Sequence, residues 1–179
     1  MIDSQTIVLD VATPHDAPLI ANLLELYAHD LSQAFNLELG ADGRFGYHEL
    51  SLYWSTPERR FPFVIRRGIR IVGFALIARG SPASDSPEDF DVAEFFIVRR
   101  HRRGGVGRRA AFLLFDRFPA RWLVRVSEGN RSGWQFWARI IAEYTHGEFV
   151  ETTLRGILHP WRVFSFSSAQ QSTALERAT

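Results

Sequence analysis

The feature that most constrains this chain is the run Val98-Arg99-Arg100-His101-Arg102-Arg103-Gly104-Gly105-Val106-Gly107-Arg108. It lies between the apolar stretch Phe95-Phe96-Ile97 and the helical pattern of Ala110, Ala111, Leu113, Leu114 and Phe115. A strand ends, glycines remove side-chain bulk, and a helix starts. The first turn of a helix leaves its backbone N–H groups without intrahelical acceptors, and the helix dipole adds positive potential at the same end. Such a start binds anions, and a diphosphate suits it well. Gly105 and Gly107 let phosphates approach the main chain, while Arg102 or Arg103 adds charge-assisted contacts from the side.

The flanking text predicts the frame that carries this turn. Apolar residues at Leu19, Ile20, Leu23, Leu24, Tyr27, Leu31 and Phe35 keep helical spacing, with Thr13 as N-cap and Pro14 in the first helical position, so a helix or helix pair is expected over 13–35. Residues 40–57 read as a loop and short helix able to wall a pocket. Two runs rich in Val, Ile and Phe, 63–67 and 69–79, flank Gly68 as a hairpin. A solvent loop is expected over 80–89, a strand over 90–98, a helix over 105–118, a strand over 122–126 and a helix over 132–144. Two strands follow, over 149–154 and 156–166. The order is α+β, a mostly antiparallel mixed sheet flanked by helices, with one strand-helix-strand crossover between 90 and 126.

Composition narrows the function classes. With 179 residues, 46% hydrophobic, the chain suits one domain, placed at 1–166 with a polar tail at 167–179. Cysteine is absent, which removes disulfides, thiol nucleophiles and thiolate metal sites. The six histidines show no metal-ligand spacing, so no metal is expected. No apolar stretch reaches membrane-spanning length, and the first ten residues carry acids rather than a basic, then apolar, leader. Neither membrane insertion nor export is expected, and a cytoplasmic location fits. Net charge is +1, so no global field argues for nucleic acid, and the Arg run is a local feature. All 21 basic side chains are Arg and none is Lys.

Three known turns compete for the glycines. A P-loop requires Lys and then Ser or Thr after its last Gly, where this chain has Arg108 and Arg109. Gly105-Val106-Gly107-Arg108-Arg109-Ala110 satisfies the dinucleotide pattern, with Glu128 at about the distance the acidic partner requires. However, a polar linker separates strand from glycine, and too little chain remains for a doubly wound sheet. The third reading is the GNAT acetyltransferase family, which the chain resembles at two places. Arg102-Arg103-Gly104-Gly105-Val106-Gly107 fits its Arg/Gln-x-x-Gly-x-Gly/Ala signature, preceded by the strand Glu94-Phe95-Phe96-Ile97-Val98. Asn130-Arg131-Ser132-Gly133 looks like its Asn-x-x-Ala segment, with Gly133 in place of Ala and Phe136-Trp137 following.

The resemblance implies an acyl-CoA N-acyltransferase fold with two splayed central strands and acetyl-CoA as acyl donor. Main-chain groups of Ile97 and Val98 would pair with the pantetheine arm. Backbone amides from Arg103 through Gly104, Gly105, Val106 and Gly107 to Arg108 would hold the pyrophosphate. Asn130 would reach the cofactor from the far side, or serve as a helix N-cap. Trp137 stands near the cofactor where the family commonly has a Tyr acting as general acid, and Trp cannot donate that proton. Tyr144, two turns later, is better read as a core or interface residue.

The implied chemistry is acetyl transfer to a primary amine in a ternary complex. Such an amine is protonated at neutral pH, and freeing it costs roughly 4 to 5 kcal/mol, so a general base is expected. Glu94, alone in an apolar strand, is the candidate base, with pairing to an Arg as its structural alternative. The Val98 N–H is the candidate oxyanion donor. Tyr47, Tyr53 and Trp54, with Glu25 and Asp30, form either a wall for a cationic amine or plain core. A small-molecule or peptide amine is the expected partner, and the resemblance makes a homodimer reasonable. Two other readings stay open: an acyl-CoA sensor without transfer, and a nucleic-acid-binding module using the Arg run.

Overall fold

The computed structural model describes residues 5–156 and 160–168. Seven strands and four helices follow one another as β1 (Ile7–Val11), α1 (Ala17–Phe35), α2 (Leu52–Ser55), β2 (Arg60–Arg67), β3 (Arg70–Arg79), β4 (Phe90–Ile97), α3 (Val106–Arg117), β5 (Arg121–Ser127), α4 (Arg131–Tyr144), β6 (Val150–Arg155) and β7 (Pro160–Ser167). The strand order is β1-β2-β3-β4-β5-β7-β6. It is a mixed sheet, antiparallel in the pairs β1–β2, β5–β7 and β6–β7 and parallel where Phe90 and Asp91 of β4 meet Trp122 and Leu123 of β5. The α+β expectation is met.

The described chain groups into two compact units, each visited twice. One holds residues up to Leu76 together with Glu94–Val106, and the other holds Ile77–Ala93 together with residues from Gly107 onward. In the first unit, Thr13 opens a single 3-10 turn, Pro14–Asp16, closed by a capping box with Asp16. Helix α1 continues from it. Its face of Ile20, Leu23 and Leu24 packs with Tyr53, Val64, Phe74, Leu76 and Phe96 in one buried cluster. Each large side chain so enclosed contributes on the order of 1.5–3 kcal/mol. Gly73 is needed here for space. A Cβ at that position would collide with the carbonyl oxygen of Phe96, so β3 and β4 can approach only because no side chain intervenes.

In the second unit, Phe115 of α3 is the hub. Trp122, Tyr144 and Phe166 meet its ring at centroid distances of 5.1, 5.0 and 4.9 Å, all edge-on. Helix α3 presents Ala110 and Ala111, both fully buried, beside Leu114 and Phe115. Helix α4 buries Trp137, Ile140, Ile141 and Tyr144, one stripe at helical spacing.

Three expectations need correction. Strand β1 has no counterpart in the sequence reading; its alternation of Ile7, Leu9 and Val11 is too short to stand out and becomes a strand by pairing with β2. The segment 80–89 is not a free solvent loop. Gly80 N–H donates to Asp89 O (2.6 Å), Ser84 Oγ to Asp89 (2.5 Å) and Ser81 Oγ to the fully buried Asp91. Ser81, Ser84 and Asp89, which read as solvent-seeking, are satisfied within the protein, while Asp85 and Glu88 stay exposed. The polar tail does not begin at Ser167, which closes β7. Ser168 is buried, and its Oγ donates to Phe118 O (3.0 Å). Residues 169–179 of the expected tail lie outside the described residues.

Candidate functional site

Strand β4 ends at Ile97, a 3-10 turn covers Arg99–His101, and α3 starts at Val106. Between them the backbone adopts left-handed conformations at Arg103 (φ 64°) and Gly105 (φ 77°). Gly105 does so without strain, whereas Arg103 is a residue type that rarely does. Arg102, Arg103, Gly104 and Gly105 are exposed, and a Cβ built on either glycine would meet nothing within 4 Å. Among the described residues, the N–H groups of Arg103, Gly104 and Gly105 have no acceptor. The first N–H groups of α3 lack intrahelical partners by geometry. A row of main-chain donors thus faces open space at the start of a twelve-residue helix.

The arginines divide into two sets. Arg102 is occupied: its Nε donates to Ile97 O (2.6 Å), its guanidinium pairs with Asp30 of α1, and the group lies 5.4 Å over the Phe96 ring. Arg99 joins the same carboxylate at 2.7 Å. Burial pushes the Asp30 carboxyl upward, but the bonds from Arg102 and Arg99 outweigh it and hold it below its ordinary range. Arg102 therefore braces the turn rather than projecting freely from it. Arg108, on α3, pairs with Glu143 and lies over Phe112. Arg100, Arg103 and Arg109 are exposed and have no acidic partner among the described residues.

Val98 departs from expectation. Its N–H, the expected oxyanion donor, donates to Val72 O on β3 (2.9 Å) and is spent on the sheet. Successive residues of a strand direct their N–H groups to opposite edges. The neighbouring Ile97 N–H is therefore directed away from β3.

Glu94 lies on β4, partly buried. Its carboxyl accepts from the phenols of Tyr27 and Tyr47. No sequence motif signals this trio, because the three residues come from three separate segments. Tyr47 also lines a cavity of about 430 Å³ together with Leu24, Glu25, Phe45, Gly46 and His48. Glu25 accepts from the N–H groups of Phe45 (2.8 Å) and Gly46 (3.2 Å), which pins the 40–46 loop to α1. Of the proposed amine wall, Tyr53 is core at 1% exposure and Trp54 donates its Nε1 to Ala12 O (3.2 Å). Asp30 is committed to the turn.

In the second unit, Asn130 is the N-cap of α4, its Oδ1 accepting from Gly133 N (3.0 Å). Gly133 leaves the room for it: a Cβ there would press on the Asn130 amide. Trp137 is buried beside Phe115 and Phe136. Tyr144 donates its O–H to Asp116 (2.8 Å), and burial, then Asp116, pushes its phenol well up, so it stays a neutral donor within the core. Among the described residues no three His, Asp or Glu gather as a metal site, and no helix is long and apolar enough to cross a membrane.

No protein-family model matches the sequence, and neither does any curated protein. Solved structures do match it in shape. An acetyltransferase from Thermus thermophilus is 19% identical, with 90% of this chain and 97% of that one covered and a TM-score of 0.66. An aminoglycoside acetyltransferase in complex with coenzyme A is 13% identical, covering 94% and 99%, at 0.67. Spermidine N-acetyltransferase from Vibrio cholerae, in complex with coenzyme A and spermine, is 14% identical, covering 93% and 98%, at 0.60. The chain has the GNAT acetyltransferase fold.

Proposed function

We propose that this chain is a GNAT-family, acetyl-CoA-dependent N-acetyltransferase that transfers an acetyl group to a primary amine. The observation that carries the reading is the Gly-rich turn, where unpartnered N–H groups of Arg103, Gly104 and Gly105 continue into the start of α3 with open space before them. This is the donor set a diphosphate requires. The unpaired Arg100 and Arg103 add positive charge to it. Similarity to structures bound to coenzyme A supports the same ligand, and amine acetyltransferases among them support the acceptor class.

Acetyl-CoA, when bound, supplies an activated acyl carbon. The residues of this chain supply the rest. Main-chain donors from Arg103 to Arg108 hold the pyrophosphate, and the edge of β4 at Ile97 pairs with the pantetheine. The Ile97 N–H, rather than the Val98 N–H, is the available donor toward the thioester oxygen, because Val98 is bonded to Val72. Glu94 takes the ammonium proton of the acceptor, directly or through water, which leaves the amine lone pair free to attack. The departing thiolate takes its proton from water: Trp137 has none to give, and Tyr144 is committed to Asp116. A small amine acceptor is the partner, and a homodimer is compatible with this reading.

Titration calorimetry with coenzyme A tests the premise. Micromolar binding that is lost in Gly104→Pro, which removes one donor, is the expected result. Folded protein with no affinity for coenzyme A would overturn the function. Glu94→Gln tests the base: turnover should fall by about 10²–10⁴ with coenzyme A affinity retained.

A further inference from the structure

In the second unit the sheet ends at β6, and all six residues of that strand are exposed. The register shows which of its main-chain groups are free. Glu128 N–H donates to Pro160 O (3.2 Å) and Ser168 N–H to Ala120 O (2.9 Å), and both bonds extend the register of β5 with β7. The even-numbered residues of β7 therefore turn their main-chain groups to β5. Trp161, Val163 and Ser165 turn theirs to β6, because the direction alternates along a strand. Opposite them stand Leu154, Thr152 and Val150. By the same alternation, Glu151, Thr153 and Arg155 direct their N–H and C=O groups outward from the sheet. The pairing runs unbroken from Val150 to Arg155, and β6 holds no proline, so neither a bulge nor a proline blunts this edge.

We propose that β6 is the contact strand of a homodimer, in which two copies join their free edges antiparallel about Thr153. The edge is self-complementary in that register. Thr153 faces the partner's Thr153, and the Glu151 of each copy faces the partner's Arg155. The residues with outward main-chain groups thus meet one another as hydrogen-bonded pairs. A shift by one residue would set those groups against residues already bonded to β7, and centring on Glu151 or Arg155 would set like charges opposite each other. The charges are available. Both bonds that Glu151 accepts within the chain, from Trp134 Nε1 (3.0 Å) and Arg162 (2.8 Å), end on Oε1, which leaves Oε2 for the partner. Arg155 has no acidic partner among the described residues. On the other face of the strand, Val150 and Leu154 are 57% and 38% exposed. The same register lays Leu154 against the partner's Thr152, and covering this apolar surface favours association.

One strand pair is a small interface, so the expected dimer is in micromolar equilibrium with monomer. Sedimentation velocity of the intact chain without ligand, across about 1–200 µM, should show that equilibrium. Thr153→Pro deletes the central outward donor and no bond to β7, so it should fold and stay monomeric. Arg155→Glu sets like charges opposite each other at both ends of the contact and should weaken association by about tenfold or more. Mixing Arg155→Glu with Glu151→Arg should restore association, because every charge of one variant then meets its opposite on the other. Wild-type protein that stays monomeric throughout overturns the proposal, and so does a dimer that either folded variant, Thr153→Pro or Arg155→Glu, keeps unchanged. Folded charge variants that fail to associate when mixed overturn the register. These measurements involve neither coenzyme A nor turnover, so the dimer stands or falls apart from the acetyltransferase reading.

Discussion

Two carboxyl groups three residues apart on β4 meet opposite surroundings. Asp91 is fully buried and gripped by Arg125 through Nε (2.8 Å) and a terminal nitrogen (3.1 Å), with Ser81 bonded to the same group. Glu94 is only partly buried and meets two phenols. A guanidinium is permanently charged and matches a carboxylate with two parallel bonds, so Asp91 sits in a two-point ion pair and serves the fold. The phenols that meet Glu94 are neutral donors. One strand thus carries a carboxyl gripped by a guanidinium in the second unit and one met by phenols in the first.

The largest effect that could break this contrast is on stability. Asp91→Asn should destabilise the fold by about 3–5 kcal/mol, because it leaves the mostly enclosed Arg125 without its counter-charge. Glu94→Gln, which keeps the shape and a partly exposed position, should cost about 1 kcal/mol or less. Urea unfolding of both variants decides it, and equal losses would mean that Glu94 is structural as well.

Next in size is the packing of the Glu94 half of the strand. That half is held by close backbone contact at Gly73, so Gly73→Ala should cost about 1–3 kcal/mol by driving β3 away from the Phe96 carbonyl. The loss should not vary with salt, unlike losses at exposed ion pairs. Chemical denaturation at low and high ionic strength checks this.

The smallest effect lies at the brace of the Gly-rich turn. Asp30→Asn should cost about 0.5–1 kcal/mol, since Arg99 and Arg102 are both well exposed and screened by solvent. The carboxyl of Asp30 is held below its ordinary value in the folded chain. Its contribution is therefore present above the unfolded value, near 4, and disappears as pH falls through the lowered one. Denaturation midpoints of wild type and Asp30→Asn should converge in acid and separate at neutral pH.

Where the signal was local, the chain could be read directly. Helical spacing in α1 and α4, the hairpin around Gly68, and the strand, glycine turn and helix of β4 and α3 each come from neighbouring residues, and each was legible. Asn130 as an N-cap belongs with them, since its partner Gly133 is three residues away. The phenols on Glu94, the Arg102–Asp30 brace and the Asp91–Arg125 pair were not legible, because each joins residues at least thirty positions apart. The serines and acids of 80–89 misled for a different reason: polarity announces a need for partners without saying whether water or protein supplies them.

By itself, the sequence determined which backbone stretches become helix or strand and where free N–H groups gather at a helix start, since hydrophobic period, glycine and proline act over a few residues. Tertiary structure alone decided which acid of β4 meets a guanidinium and which meets phenols. It also decided that Val98 spends its N–H on Val72, because a side chain or amide is defined chemically by the group that folding brings against it.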